Sequence, residues 1–461
     1  MTKRILTAML GLSVLAVPCA PAHAQTVEEL QRQIDELKAM VLQLKAAQAA
    51  PAPAPAPAVA APAPAPAPVI VASQAPRSKP WFERLSLRGY TQLRVNEILS
   101  GDRNAPAGVS RLRSVHDGGI NASNNLAFRR VRLVFEGDLG DNVSFYLQPD
   151  FATSVSGQSA GERRENYGQL RDAYVDLHLG SQRQFKVRFG QSKVPFGWEN
   201  LQSSSNRLAL DRTDALNSAV PSERDLGIVA FYTPPHVQRI WKRLSDDKQK
   251  LFGNYGAFGV GVFNGQGVNR TESNNNLMTV AMVTWPFELD ALGGALDGQV
   301  LELGGAAMRN KVQPEIRTGG VSAASYDDNR VGLHAILYPQ PLGFQAEWNW
   351  GRGPEFDAAT NSIATKSLNG GYIQTMLRIA KSPLGPMMPY ARWQHYRGGW
   401  KAGLNAPRLE TDEVEIGIEF QPIRPLEFTL AYAHMKRLEA DERRSGRAEG
   451  DLLRAQLQWN Y

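Results

Sequence analysis

Cysteine is all but absent: Cys19 is the one cysteine in 461 residues, which excludes a disulfide framework and a cysteine-ligated metal site. Long apolar runs are missing too. With a mean hydropathy of −0.34 and nothing approaching the ~18 consecutive apolar residues of a membrane helix, a polytopic helical membrane protein is excluded. A membrane β-barrel is not, because its strands need only about 9–11 residues and alternate apolar with polar. Charge of one sign is scarce: 51 Lys and Arg stand against 45 Asp and Glu, a net +6 that is too small for a nucleic-acid binder. The seven histidines are scattered, and no His-Glu-x-x-His, phosphate loop or Gly-x-Ser-x-Gly occurs, so no metal, cofactor or enzyme site is expected. Gly259 and Gly261 lack a β-α-β context and read as strand glycines.

What is present starts with a leader. Lys3 and Arg4, the apolar stretch Ile5 to Val17 and the Ala22-His23-Ala24 site predict a signal peptide at 1–24, with Gln25 opening the mature chain. Pro18 before Cys19 argues against lipid attachment, which leaves the mature chain without cysteine. In 25–50, Val27, Leu30, Ile34, Leu37, Val41 and Leu44 are spaced 3, 4, 3, 4, 3, the seam of a short coiled-coil helix. So short a coiled coil is marginal alone and fits a chain oligomerised by something larger; a single amphipathic helix lying on a domain is the alternative. A Pro/Ala-rich linker fills 51–80. The eight prolines of Pro51 to Pro68 impose extended polyproline II, a semi-rigid spacer of roughly 55 Å.

From 81 to 461 the recurrent period is two, as in Leu85, Leu87, Gly89, Thr91, Leu93 and Val95 against Arg88, Tyr90, Gln92, Arg94 and Asn96. Thirteen further segments follow the second and third at Val131–Phe135 and Val143–Leu147, up to Leu452–Tyr461, so the fold class is all-β with sixteen strands. Tyr255–Phe263 and Leu277–Phe287 are the least distinct, because glycines and methionines blur their faces. Long polar connectors, among them Gln191 to Asp225 and Arg352 to Leu368, alternate with short ones such as Gly140-Asp141. This sidedness predicts an antiparallel transmembrane β-barrel porin at 81–461, whose sixteen strands enclose water. A soluble β-sandwich would hardly need it. Thr233 to Asn254, with Trp241 and several basic residues, is too long for the short-turn side and has no functional account. The last strand places Leu453, Ala455, Leu457, Trp459 and Tyr461 on one face and ends in an aromatic, which suits an aromatic girdle and an outer-membrane insertion signal.

Five stretches are similar, in order, to the phosphate-selective porin O/P family: Leu87-Arg88-Gly89-Tyr90-Thr91-Gln92-Leu93-Arg94, Phe128-Arg129-Arg130-Val131-Arg132-Leu133, Leu170-Arg171-Asp172-Ala173-Tyr174, Arg188-Phe189-Gly190-Gln191-Ser192-Lys193-Val194-Pro195-Phe196 and Phe263-Asn264-Gly265. The resemblance runs from about Leu85 to Gly267 and returns at the C-terminal strand. It implies a homotrimer in the outer-membrane lipid of a Gram-negative bacterium, a third long loop folded into the lumen, and passive diffusion of small anions such as phosphate or polyphosphate. The heptads and spacer are similar to those of coiled-coil porins resembling dicarboxylate channels, so a dicarboxylate or general small-solute porin is the alternative. A structural tether, reaching peptidoglycan or another periplasmic contact through the N-terminal segment, is a third reading.

If the apolar face meets lipid, strand parity turns Arg88, Arg94, Arg130, Arg132, Lys186, Arg188, Arg378 and Arg392 inward as pore-lining basic residues. Guanidinium forks suit phosphate or carboxylate oxygens. Glu136, Asp138, Asp150, Asp172, Asp176 and Glu347 share that parity, so salt bridging across the wall is the competing role. The acidic Glu413, Glu415 and Glu419 share one face of the fourteenth strand, opposite the basic early strands, and suggest a field across the lumen. In the long segment Gly190 to Arg224, Lys193, Arg207 and Arg212 are the constriction-loop candidates.

Overall fold

The computed structural model describes Asp35, Ala39 and residues 81–112, 117, 119–120, 126–152, 168–270, 272 and 274–461. The chain divides into two units, Met1–Pro76 and Arg77–Tyr461. In the first, Asp35 and Ala39 are helical and exposed; the signal peptide, the rest of the heptad segment and the linker lie outside the described residues.

The second unit holds sixteen strands. They are β1 (Leu85–Ser100), β2 (Leu126–Asp138), β3 (Val143–Asp150), β4 (Gln169–Leu179), β5 (Phe185–Lys193), β6 (Arg224–Tyr232), β7 (Phe258–Phe263) and β8 (Met278–Glu288). The second half comprises β9 (Val300–Val312), β10 (Tyr326–Leu337), β11 (Leu342–Asp357), β12 (Ser362–Leu377), β13 (Met387–Gly399), β14 (Arg408–Ile423), β15 (Leu426–Ala440) and β16 (Ala448–Asn460). Each pairs antiparallel with its neighbours, and β1 pairs with β16 to close the barrel. Closure leaves no unpaired sheet edge, the condition for a sheet surrounded by apolar solvent. At the seam, Gly89 and Tyr461 exchange two backbone hydrogen bonds of 2.6 and 3.0 Å, so the final aromatic residue completes the ring.

Side-chain alternation follows from the pleat. On β13, Tyr390, Arg392, Gln394 and Tyr396 are buried inside, while Ala391 and Trp393 face out. Outward Leu87, Val260, Leu333 and Ile416, on strands spread around the ring, are more than half exposed, a belt that water would not cover favourably. At the end with the short turns, Phe185, Tyr232, Phe258 and Trp285 meet in series on β5 to β8 with centroids 4.6, 6.2 and 5.9 Å apart, the first two contacts stacked and the last edge-on, as in an aromatic girdle.

Some boundaries differ from expectation. Arg352 to Leu368 is mostly strand, because β11 and β12 continue pairing up to Asp357↔Ser362. The salt bridge from Lys366 to Asp357 (3.4 Å) stabilises that tall hairpin. Tyr255 does not belong to β7. It packs in the preceding turn against Phe231, with ring centroids 5.9 Å apart.

Two connectors fold inward. Between β5 and β6 the chain forms α1 (Trp198–Leu201) and α2 (Asp214–Ala219), both buried. Between β6 and β7, within the long connector Thr233 to Asn254, it forms α3 (Pro235–Asp246). Pro235 occupies the first turn, where a missing N–H costs nothing, and Val237, Ile240 and Leu244 make one buried face at spacings of 3 and 4. The two connectors share a core with the inner wall: Trp198, Leu201, Leu216, Ile240, Leu244 and Phe252 pack against Phe231, Phe263, Met278, Val280, Met308 and Ile336. The wall of β6 to β10 is thus largely apolar inside, and most charge falls on the remaining strands.

Candidate functional site

The barrel interior is built around the β5–β6 connector. Within β5, Gly190 takes φ +125°, where a Cβ would lie 2.3 Å from the Ala173 carbonyl oxygen of β4. Gly197 follows at φ +90°, 2.9 Å from the Glu347 carboxylate by the same measure. Glu347, on β11, accepts hydrogen bonds from the backbone N–H groups of Trp198 (2.6 Å) and Glu199 (3.0 Å) at the start of α1. Farther along, Ser204 shares a 2.6 Å hydrogen bond with Tyr90 and accepts from Arg132 at 3.0 Å. Asp214 of α2 accepts from Thr411 (2.6 Å) and pairs with Arg437. Arg330 donates to the Ser218 hydroxyl at 2.7 Å. Polar contacts on β1, β2, β10, β11, β14 and β15 thereby hold one infolded loop across the lumen.

The centre of its base is Glu223. Lys193 (3.5 Å), Arg207, Arg212 (3.1 Å) and Arg224 (2.5 Å) all pair with this one carboxylate. Burial alone would push the Glu223 carboxyl up, but the four cations outweigh it and hold the group well below the usual carboxylate range. Arg224 also pairs with Asp172 at 2.8 Å. Neighbouring Arg171 donates to Gln169 and to the Ser222 carbonyl, and has no carboxylate partner among the described residues.

A second cluster joins Arg94 to Asp117 (2.7 Å) and Asp211 (3.1 Å), with Arg454 on the same two carboxylates. Arg129 approaches Asp211 at 3.5 Å. Elsewhere Arg132 pairs with Asp150 (2.7 Å), Arg188 and Lys186 with Asp176 (2.8 and 3.7 Å), and Arg392 with Glu199 (2.7 Å). Arg130 donates to Gln92 (2.7 Å) and, like Arg171, has no carboxylate partner among the described residues.

The predicted basic set therefore splits. Arg94, Arg130, Arg132, Lys186, Arg188 and Arg392 are buried inside the barrel beneath the infolded segments. Arg88 sits at the short-turn end, half exposed, paired with Glu136 at 2.8 Å. Arg378 lies just past β12 and donates to the Asp247 carbonyl at 2.6 Å. The acidic face of β14 is compensated: Glu413 pairs with Arg437 (2.5 Å), Glu415 lies 3.7 Å from Arg454, and Glu419 pairs with Lys250 (2.8 Å). These contacts are the salt bridging that strand parity left as the competing role.

Arg129, Arg330, Arg437 and Arg454 are interior cations that the sequence reading did not single out. Strand parity could have found Arg437 and Arg454. It could not have found Arg129, because the β1–β2 register slips between Gln92 and Leu93 and turns two consecutive arginines inward.

A closed sixteen-strand barrel, apolar outside, charged inside and crossed by an infolded loop, defines an outer-membrane porin: a channel, not an enzyme. The sequence profile described as phosphate-selective porin O and P matches residues 103–461, and the chain belongs to that family. No curated protein sequence matches significantly. Among solved structures, the chain is similar to the outer membrane channel DcaP of Acinetobacter baumannii at 15% identity and a TM-score of 0.50, with 82% of this chain and 97% of that one covered. It is also similar to OmpF of Salmonella typhi, solved in complex with daunomycin, at 12% identity and a TM-score of 0.50 over 82% and 97% of the two chains.

Proposed function

We propose that this porin works as a homotrimer in the outer membrane of a Gram-negative bacterium and passes small anions by passive diffusion, phosphate or polyphosphate first among them. The observation that carries the reading is the cation excess at the loop base: among the described residues, Lys193, Arg207, Arg212 and Arg224 pair with the single carboxylate of Glu223, Arg224 also pairs with Asp172, and Arg171 stands beside them with no carboxylate pair. Arg130 adds a further guanidinium without a carboxylate partner among the described residues. The Nε–H groups of Arg130, Arg171 and Arg207 are buried and have no acceptor among the described residues, which leaves each a donor for water or an anion. A phosphate or carboxylate oxygen replaces that water with a charge-assisted bond, and several weak sites in series let the ion leave again. Because most other charges are paired, the preference is modest. Lys193, Arg207 and Arg212 form the basic side of the constriction.

The test is planar-bilayer conductance of the purified protein in chloride, with phosphate and then succinate titrated in. Block by millimolar or lower phosphate supports the reading. Stronger block by succinate favours small organic diacids, and indifference to both makes this a general porin. A clear cation preference in reversal potentials would overturn the anion reading altogether. Deleting 25–80 tests the N-terminal segment separately: intact conduction with lost envelope integrity is the result expected of a tether to peptidoglycan.

A further inference from the structure

Glu302, on β9, is fully buried inside the barrel, and among the described residues no basic side chain lies within ion-pair distance of it. Four neutral donors surround it instead. Its Oε1 accepts from the Thr284 hydroxyl (2.6 Å) and the Trp198 indole Nε1 (3.2 Å); its Oε2 accepts from the Tyr338 hydroxyl (2.8 Å) and the Trp241 indole Nε1 (3.0 Å). Thr284 and Tyr338 belong to the wall. Trp198 opens α1 of the β5–β6 loop, and Trp241 lies on α3 of the β6–β7 connector, so one carboxylate holds two segments that enter the barrel from opposite ends. Phe252 packs beside both indoles, its ring 6.1 Å from that of Trp198 and 5.1 Å from that of Trp241.

A buried carboxylate without a cation is a costly choice where an apolar side chain would pack well. What it alone offers here is four acceptor positions on two oxygens. We propose that Glu302 is the shared anchor that positions both infolded segments and thereby sets the calibre of the channel. The calibre part rests on the reading of the barrel as a conducting porin; the anchoring part does not.

Glu302→Gln keeps one acceptor oxygen and puts an NH2 where the other was. Thr284 and Tyr338 hydroxyls can rotate to accept from that NH2, but an indole N–H cannot, so one of the two segments is released. Trp241→Phe releases α3 alone and changes no charge. In full-length protein in bilayers, both variants are expected to raise unit conductance and its open-state noise, conductance by about twofold or more, since ion flow follows the open cross-section. Trimer heat resistance on unboiled gels checks that the barrel remains folded. As a readout independent of conduction, Phe252→Cys should react slowly with a soluble thiol reagent in the parent protein and about tenfold faster when combined with Trp241→Phe, because local opening controls access to buried groups. Unchanged labelling in both the Trp241→Phe and Glu302→Gln backgrounds would overturn the anchor. A conductance change in Glu302→Gln without one in Trp241→Phe would overturn it too, assigning the effect to charge alone. A parent protein that never conducts would sink the channel reading, while the labelling would still decide the anchor.

Discussion

The Lys250 ammonium stands 2.8 Å from the Glu419 carboxylate of β14 and 3.8 Å from that of Glu427 on β15. Lys250 belongs to the connector between β6 and β7, which in a closed ring of sixteen strands lies across the diameter from β14 and β15. The connector is therefore a strap spanning the barrel. Its carbonyls at Lys250 and Leu251 accept from Gln202 (2.9 Å) and Asn206 (2.7 Å), which fasten it to the β5–β6 loop as well.

Lys250→Met should free the far end of this strap, at a cost on the order of 2 kcal/mol for a lost charge-assisted contact. Burial by itself lowers the Lys250 pKa, but Glu419 and Glu427 outweigh it and hold the group above its ordinary 10.5. A raised lysine stabilises fully below its ordinary value, and the contribution is lost as pH rises through the raised one. Limited proteolysis between Asp247 and Asn254 should therefore be suppressed up to about pH 10.5 in the parent and appear above it, whereas Lys250→Met should be cut already at neutral pH.

Glu223→Gln leaves Lys193, Arg207, Arg212 and Arg224 without their shared counter-charge. The reversal potential in a salt gradient should move toward stronger anion preference, and the loop should loosen by about 3 kcal/mol, as when one partner of a buried ion cluster is removed. Since the carboxyl is held below its ordinary 4.5, its contribution is complete above that pH and fades only as pH falls through the lowered value. Conductance that collapses between pH 6 and about 5 would point to a different group.

Gly197→Ala places a methyl 2.7 Å from Leu216 and 2.9 Å from Glu347, at a φ that non-glycine residues avoid. The backbone strain is about 1–3 kcal/mol. We expect a lower thermal midpoint and noisier channels, because the start of α1 must leave the Glu347 carboxylate. An unaltered melting curve would show that this turn can adopt another conformation at no cost.

Arg171→Gln and Arg130→Gln each remove a guanidinium that has no ion pair with a described carboxylate. Loss of one charge-assisted contact should weaken phosphate block about tenfold. Arg88→Gln, at the half-exposed end of the wall, should change it little. Equal effects from all three would mean that overall charge, not position, governs the interaction.

The sixteen strands were legible because a wall with an apolar outside and a polar inside must alternate at every residue. The two least distinct segments lie where that condition fails. Phe263, Met278, Val280 and Met282 point inward to meet the infolded loop and strap, so both faces of β7 and β8 carry apolar residues and the period fades. The helix α3 was visible in principle, as Pro235 followed by Val237, Ile240 and Leu244, but it stands between two strands in a connector noted only for its length. Arg129 was hidden by a bulge, which shifts parity by one without a mark in the sequence.

By itself the sequence determined the number of strands, the long connectors at one end, and the inward direction of most charged residues, because each is a property of neighbours along the chain. Only the tertiary structure decided what those charges do. Arg94 meets Asp211, Arg392 meets Glu199, Lys250 meets Glu419, and Glu302 gathers Trp198 and Trp241. These partners lie far apart in sequence, and on an infolded segment and the wall it crosses. Strand register orders only adjacent strands, so such contacts come into being when the barrel closes and its inner surface fixes where the loop and the strap come to rest.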